Sequence, residues 1–341
     1  MLIPERIKCE AVEISPEHRD KILYRLTALW AFIESGLGGI LHALKFPFTG
    51  LIIAGFALLL ITLILHYSGK NKKFIFTSLM IVLLVKMVLS PHTSPTAYFA
   101  VTFQALTLYA IVKLFGLNRF ALFAGFVIAI LESAFQKLIV LTLVGGFTFW
   151  HSVQSFIEWV QQSVFSSAGF LSVKLMVFIY LSIYLVGAIL WAWLTFRILN
   201  DLQRHLFANR ALQLDDVNDL DTVPKSQRKS FIFLILMICI VVTGLAWMGF
   251  RQKDVLFYLL RVISIIFLWY YIIGPLLTGL IKKYLYKKMP SYQAKVDDVL
   301  DIFPKIKKVV TYNWLISAKY RFLERIYQFI LGTIVMVLAL E

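Results

Sequence analysis

Residues 47–67 read PFTGLIIAGFALLLITLILHY and contain no Asp, Glu, Lys or Arg. A helix needs about 20 consecutive apolar residues to cross the hydrocarbon core of a bilayer, so this stretch predicts a transmembrane helix. The whole chain has the same character, since 60% of its 341 residues are hydrophobic and only 16% are charged. Soluble domains carry roughly 25% charged residues. The composition excludes a disordered chain, a coiled coil, a collagen and almost any soluble globular fold. It predicts an all-α, polytopic integral membrane protein.

Apolar runs of membrane length recur along the chain. We predict about nine transmembrane helices, at residues 23–44, 47–67, 73–90, 97–116, 119–145, 170–199, 230–250, 254–281 and 322–340. The eighth contains Gly274 and Pro275, which should break or kink it because proline lacks the backbone donor that a helix needs.

The basic residues predict the orientation. Cytoplasmic loops of membrane proteins carry an excess of Lys and Arg. With the N-terminus in the cytoplasm, 27 of the 34 Lys and Arg fall in cytoplasmic segments or at the cytoplasmic ends of spans, and three fall outside. We therefore expect a cytoplasmic N-terminus, in a multi-pass protein of a bacterial-type cytoplasmic (inner) membrane. The net charge of +15 then reflects basic loops at anionic lipid, and nucleic acid is not an expected partner.

Charge and hydropathy divide the chain into three regions. Residues 1–199 form a six-helix transmembrane domain, residues 200–229 form a polar cytoplasmic linker, and residues 230–341 form a three-helix region. This last region contains a cytoplasmic amphipathic insertion, residues 282–321. Its apolar face recurs every three or four residues and includes Val296, Leu300, Phe303, Val310 and Trp314. Such a helix either lies in the lipid interface or docks a partner subunit, and both alternatives stay open.

Several polar side chains fall inside or just outside the first six spans. Ionisable groups within a bilayer are costly and mark pathways or structural pairs. The candidate solute-binding residues are Glu34, His42, Lys86, His92, Gln104, Glu132, Lys137, Trp150 and His151. They concentrate toward the predicted outer face, as an outward-opening cavity would require. The alternative is that these groups pair structurally or extend toward the lipid headgroups. Residues 147–168, polar and aromatic, predict an interfacial helix or a lid.

Two acidic clusters have the pattern DDxxD. The residues are Asp215, Asp216 and Asp219, then Asp297, Asp298 and Asp301. They resemble the Mg²⁺-binding motifs of membrane-embedded aromatic prenyltransferases, because hard carboxylate ligands suit that ion. The second cluster also fits the solvated face of the amphipathic helix. No nucleophile, zinc or nucleotide motif is present, so the favoured interpretation includes no cofactor, no metal and no catalytic residue.

Small residues on the first span, Ala31, Ser35 and Gly39, allow another helix to approach closely. With six spans, a cytoplasmic N-terminus and outside loops at 45–47, 90–96 and 146–169, residues 1–199 resemble a substrate-binding S component of the energy-coupling-factor vitamin transporters. The resemblance implies capture of a micronutrient from outside. It also implies coupling through a second membrane component to two cytoplasmic ATPases. The helix at 291–321 is similar in character to a coupling helix of that second component.

Three functions follow as hypotheses. The first is a membrane subunit of a transporter, which binds a small solute from the outer face and docks a cytoplasmic or membrane partner, possibly an ATPase. The second is a non-catalytic scaffold or anchor subunit of a larger membrane complex. The third is a Mg²⁺-dependent, prenyltransferase-like enzyme. Besides such subunits, the expected partner is the lipid bilayer itself.

Overall fold

The structure, a computed structural model, describes residues 16–43, 48–69, 71–90, 93, 95–165, 172–208, 276, 283 and 290–340. Helices and short turns account for these ranges, and no strand occurs within them. The predicted all-α class is therefore confirmed for the described part of the chain.

Nine α-helices are described with their full bounds. They are α1 (Pro16–Phe32), α2 (Gly38–Ala43), α3 (Thr49–Tyr67), α4 (Phe74–Leu89), α5 (Pro95–Phe115), α6 (Arg119–Val160), α7 (Val173–Ala208), α8 (Pro290–Ile316) and α9 (Phe322–Ala339). A π-helical turn, Ile33–Leu37, joins α1 to α2, and a second one, Gln161–Phe165, follows α6. A short 3₁₀ turn, Ser317–Lys319, lies between α8 and α9.

Five of these helices are long and apolar enough to cross a membrane. The segments are Thr49–Tyr67, Thr96–Phe115, Arg119–Leu143, Val173–Leu202 and Phe322–Ala339, and Phe74–Leu89 is a shorter apolar helix. All six match predicted spans to within a few residues. The predicted spans 230–250 and 254–281 lie outside the described residues, apart from residue 276. The protein has the helices of a membrane protein, while the total of nine spans and the orientation remain predictions.

Helix α3 forms the centre of the helical bundle. It packs against α1, α4, α5, α6 and α7, and its residues from Ala54 to Leu65 are almost entirely buried. The absence of a side chain at Gly55 lets the indole of Trp191 lie directly on the α3 backbone, because a Cβ at residue 55 would overlap that ring. The neighbouring Phe56 ring meets Trp191 edge-on, with ring centroids 4.8 Å apart.

Pairs of contacts give the helix directions. From α1 to α4, Tyr24 contacts Phe74 and Thr27 bonds Ser78, so these two helices run parallel. From α3 to α7, Phe48 contacts Tyr184 and Phe56 contacts Trp191, so these two also run parallel. Helices α1, α4 and α6 therefore begin at one end of the bundle, and helices α3, α5 and α7 end there. We call it the basic end, because it carries Lys72, Lys73, Lys113, Arg119 and Arg197.

Helices α8 and α9 belong to the same compact unit as the first helices, and the last turns of α8 contact α9. The described residues of that unit lie in the ranges 16–208 and 291–340. Trp314 of α8 packs edge-on against Phe329 of α9 at 5.4 Å. Asn313 Nδ2 donates to Met336 Sδ at 3.1 Å. The predicted boundary at 200–229 stays a prediction, because residues 209–229 lie outside the described part of the chain.

Candidate functional site

The π-helical turn Ile33–Leu37 interrupts an otherwise continuous helix from residue 16 to 43. Its wider backbone ring is closed by the Gly38 amide, which donates to the carbonyl oxygen of Ile33. The Ser35 hydroxyl donates to the carbonyl oxygen of Ala31 at 2.6 Å, a bond of the kind that bends helices. Single π turns inside α-helices occur frequently at functional sites.

Glu34 lies in this π turn and forms an ion pair with Lys86 of α4. Its Oε2 is 2.7 Å from Lys86 Nζ, and the two residues are only 3% and 7% exposed. Lys86 lies in the last turn of α4, where the negative end of the helix dipole favours a cation. The parallel course of α1 and α4 thus brings together two charges that are 52 residues apart in the chain.

The ion pair is incompletely satisfied. Glu34 Oε1 is buried and has no hydrogen-bond partner within the described residues. The desolvation of two ions costs several kcal/mol each, and a buried pair replaced by packed apolar side chains is often equally stable. Stability alone therefore does not explain the presence of these two charges. The arrangement leaves one carboxylate oxygen available to accept a bond from a proton, a cation or a donor group of a solute.

Two further candidate residues have an unpaired polar atom. Gln104 of α5 is 3% exposed, and its Oε1 accepts no hydrogen bond in the part of the chain described. Glu132 of α6 is half-buried, and its Oε2 is likewise unpaired there. The amide of Gln136 donates to the Thr96 carbonyl at 2.8 Å, which joins α6 to the start of α5.

The structure places the other candidate solute-binding residues apart from the ion pair. The Lys137 and His151 side chains are exposed. Trp150 Nε1 donates to Thr142 Oγ1 at 3.0 Å, across the bend that Gly146 makes in α6. Residues 147–160 are helical beyond this bend. The side chain of His42 and the whole of His92 lie outside the described residues. Among the candidates whose side chains the structure describes, only Glu34 and Lys86 bond to each other.

The sequence did not predict an aromatic cluster that lies at the end of the bundle opposite the basic end. The rings of Tyr180 and Tyr184 lie 4.8 Å apart, and Phe48 stacks on Tyr180 at 6.3 Å. Phe48 itself has a left-handed backbone, with φ 64°, directly before α3. The spacing of the two tyrosines by four residues, in an otherwise apolar helix, was the available signal.

The small residues of the predicted coupling surface separate in the structure. Ala31 and Ser35 are buried in the chain's own bundle, whereas Gly39 is exposed. The π turn inserts one extra residue between Ala31 and Gly39, and one residue rotates a helix by about 100°. Gly39 consequently leaves the face that the spacing of four predicted, so these three residues do not form one exposed stripe.

The predicted docking face of α8 is largely occupied within the chain. Val296 is buried, and Phe303 meets Phe32 of α1 edge-on at 5.3 Å. Leu300 and Val310 are half-buried, and Trp314 is exposed. Docking of a partner subunit stays untested, and the exposed part of this face lies at the α8–α9 turn.

The acidic clusters receive no support as a metal site. Asp297, Asp298 and Asp301 are exposed on α8. No group of three metal-ligating side chains with suitable geometry occurs within the described ranges. Asp215, Asp216 and Asp219 lie outside those ranges, so a site shared by the two clusters remains untested.

Comparison with protein-family models, with curated proteins and with solved structures finds no match for this chain.

Proposed function

We propose that this protein is a membrane subunit of a transporter, and that the Glu34–Lys86 pair is the polar centre of its solute pathway. The observation that supports the proposal is a desolvated ion pair, at a π turn between two apolar helices, in which one carboxylate oxygen is unpaired. Charged groups at such positions in membrane proteins typically serve substrate or ion pathways. The solute enters from the face opposite the basic end.

The resemblance to S components of energy-coupling-factor transporters remains part of this proposal. It supplies the direction of capture, a micronutrient as the solute class and a partner that couples ATP hydrolysis. The bacterial cytoplasmic membrane as location has the same standing. A scaffold subunit is the second candidate function, because the exposed apolar side chains at the α8–α9 turn offer an assembly surface.

A double variant separates a pathway role from a structural role. Glu34→Leu/Lys86→Leu replaces both charges with apolar side chains of similar size, which a purely structural pair tolerates. Small molecules released from the purified full-length protein are identified by untargeted mass spectrometry. We expect the wild type to release a small polar molecule that the double variant lacks, while both proteins unfold at similar temperatures.

The matched control is Thr27→Val/Ser78→Ala, which removes a buried bond of 2.8 Å between the same two helices. It should retain the small molecule. The proposal is wrong if the wild type releases no small molecule, a result that favours the scaffold function. It is also wrong if the folded double variant retains the molecule at the wild-type level.

A further inference from the structure

Helix α9 lies across the basic end of the bundle. Near its N-terminus, the Tyr327 hydroxyl bonds Asp201 of α7, and the Tyr327 ring lies under Arg197 with the guanidinium carbon 4.1 Å from the ring centroid. Near its C-terminus, the Leu338 carbonyl accepts a bond of 2.7 Å from Arg25 of α1. These two contacts are about 16 Å apart along α9.

The partners of α9 lie at the same depth in the bundle. Tyr24, beside Arg25, contacts Phe74 in the first turn of α4, directly after the short loop that follows α3. Trp191 is level with Phe56 of α3, so Asp201, ten residues later on the parallel α7, is level with the last turn of α3. Because both ends of α9 meet this one depth, α9 runs transverse to the bundle axis.

The turn between α8 and α9 exposes apolar side chains beside the exposed Lys319 and Arg321 and the half-buried Arg325. Phe322 and Leu323 are 77% and 79% exposed, and Trp314, Leu315 and Tyr320 are exposed as well. Lys319, Arg321 and Arg325 alternate with them along the chain. Arg325 stacks on Trp314, with its guanidinium carbon 4.3 Å from the ring centroid. Lys319 lies 5.2 Å from the Tyr320 ring centroid.

The cations of this turn have no carboxylate partner among the residues that the structure describes. None of the three forms an ion pair with a described acidic residue, and Glu324, the one acidic residue among them, accepts a bond from Gln328 instead. Trp and Tyr beside Lys and Arg are typical of side chains at the membrane–water interface, where the rings enter the acyl boundary and the cations reach the phosphates. The turn thus carries a net positive charge at the end of the bundle that is already basic.

We propose that α9 forms an in-plane membrane anchor, and that the α8–α9 turn binds the headgroups of anionic phospholipids at the basic end of the bundle. Helix α9 then does not span the bilayer, although its length and composition allow it to. The ninth predicted span is replaced by a helix that lies along the membrane surface. The proposal is independent of the proposed transport function, because it rests on a different set of side chains.

Lipid binding is tested on the full-length protein with Arg321→Gln/Arg325→Gln. Native mass spectrometry counts bound phosphatidylglycerol after transfer from mixed phosphatidylglycerol and phosphatidylcholine vesicles. One basic residue near an anionic surface strengthens binding about fivefold. We therefore expect the apparent affinity for phosphatidylglycerol to fall about 25-fold in the double variant. The control, Lys174→Gln, removes an exposed charge at the end of the bundle opposite the basic end and should leave occupancy unchanged.

The in-plane course of α9 is tested by thiol labelling. Leu323→Cys and Ala339→Cys, each in a Cys9→Ser/Cys239→Ser background, are separated by about 24 Å of helix. In sealed vesicles of known orientation, a membrane-impermeant maleimide should label both positions from the same side. Labelling from opposite sides would show that α9 spans the bilayer and would overturn the proposal. An unchanged lipid occupancy in Arg321→Gln/Arg325→Gln would also overturn it. Loss of a co-purifying protein or of a dimer in that variant would then show that the turn binds protein instead.

Discussion

Glu34 Oε2 and Lys86 Nζ lie 2.7 Å apart inside the helical bundle, and both residues are buried. This pair joins the π turn after α1 to the last turn of α4. It is therefore both a packing contact between the two helices and a buried pair of opposite charges.

The energetic coupling of Glu34 and Lys86 should be strongly non-additive. Lys86→Leu alone leaves a buried carboxylate without its partner, and Glu34→Leu alone leaves a buried ammonium group without one. We expect each single variant to lose about 3 to 5 kcal/mol in the free energy of unfolding. Glu34→Leu/Lys86→Leu should be close to the wild type. Thermal unfolding of the purified protein measures both, and Lys174→Met, at an exposed site, should change little. Two single effects that simply add in the double variant would contradict this coupling.

Gly55 should tolerate no larger side chain. Gly55→Ala places a methyl group in the volume of the Trp191 indole, and we expect a loss of about 1 to 3 kcal/mol in unfolding free energy. The control is Gly39→Ala, because a Cβ at residue 39 meets no atom within 4 Å. Combining Gly55→Ala with Trp191→Leu should restore part of the loss, since a smaller side chain then faces the methyl group. Equal stability of the two alanine variants would disprove the close approach.

The bend in α6 should depend on Gly146. Its φ of 63° and ψ of −171° fall in a region that is essentially restricted to glycine. Gly146→Ala should therefore lower the unfolding free energy by about 1 to 3 kcal/mol, or straighten the helix. Thermal unfolding detects the first outcome. The distance between spin labels at positions 135 and 156 detects the second. His151→Ala, an exposed site on the same segment, serves as the control, and an effect no larger than that of the control would refute the bend.

The attachment of α9 to α7 should depend on the Tyr327 hydroxyl. Tyr327→Phe removes the bond to Asp201 but keeps the ring beneath Arg197, so we expect a loss of about 1 to 3 kcal/mol in unfolding free energy. A double-mutant cycle with Asp201→Ala isolates the pairwise energy. Tyr320→Phe, at an exposed residue of the α8–α9 turn, should have no effect. A coupling energy of zero would mean that the bond does not hold α9 in place.

The positions of the helices were largely predictable from the sequence. Apolar runs of membrane length are a strong local signal, and the predicted span 47–67 became α3 at Thr49–Tyr67. The predicted span 119–145 ends next to Gly146, where the backbone of α6 bends. Such boundaries follow from the cost of placing charged or backbone groups in hydrocarbon, which each segment determines for itself.

The candidate site was only partly predictable. The sequence identified Glu34 and Lys86 as costly groups that require partners, but it did not pair them, because pairing depends on the parallel packing of α1 and α4. The π turn inserts one residue and so changes which helix face the residues after Ser35 occupy. The regular spacing of an α-helix does not predict such an insertion. The cluster of Phe48, Tyr180 and Tyr184 likewise appears only when α3 and α7 meet.

The sequence by itself determined that this is a helical chain with membrane-length apolar segments, because hydropathy is a sum over neighbouring residues. Only the tertiary structure decided which charges meet and which way α9 runs. An apolar helix of 18 residues can cross a bilayer or lie on its surface, and its composition is compatible with both. The contacts of Tyr327 and Leu338 with two helices at one depth distinguish these two courses. Each contact joins residues more than 100 positions apart in the chain, so the sequence of α9 alone does not reveal it.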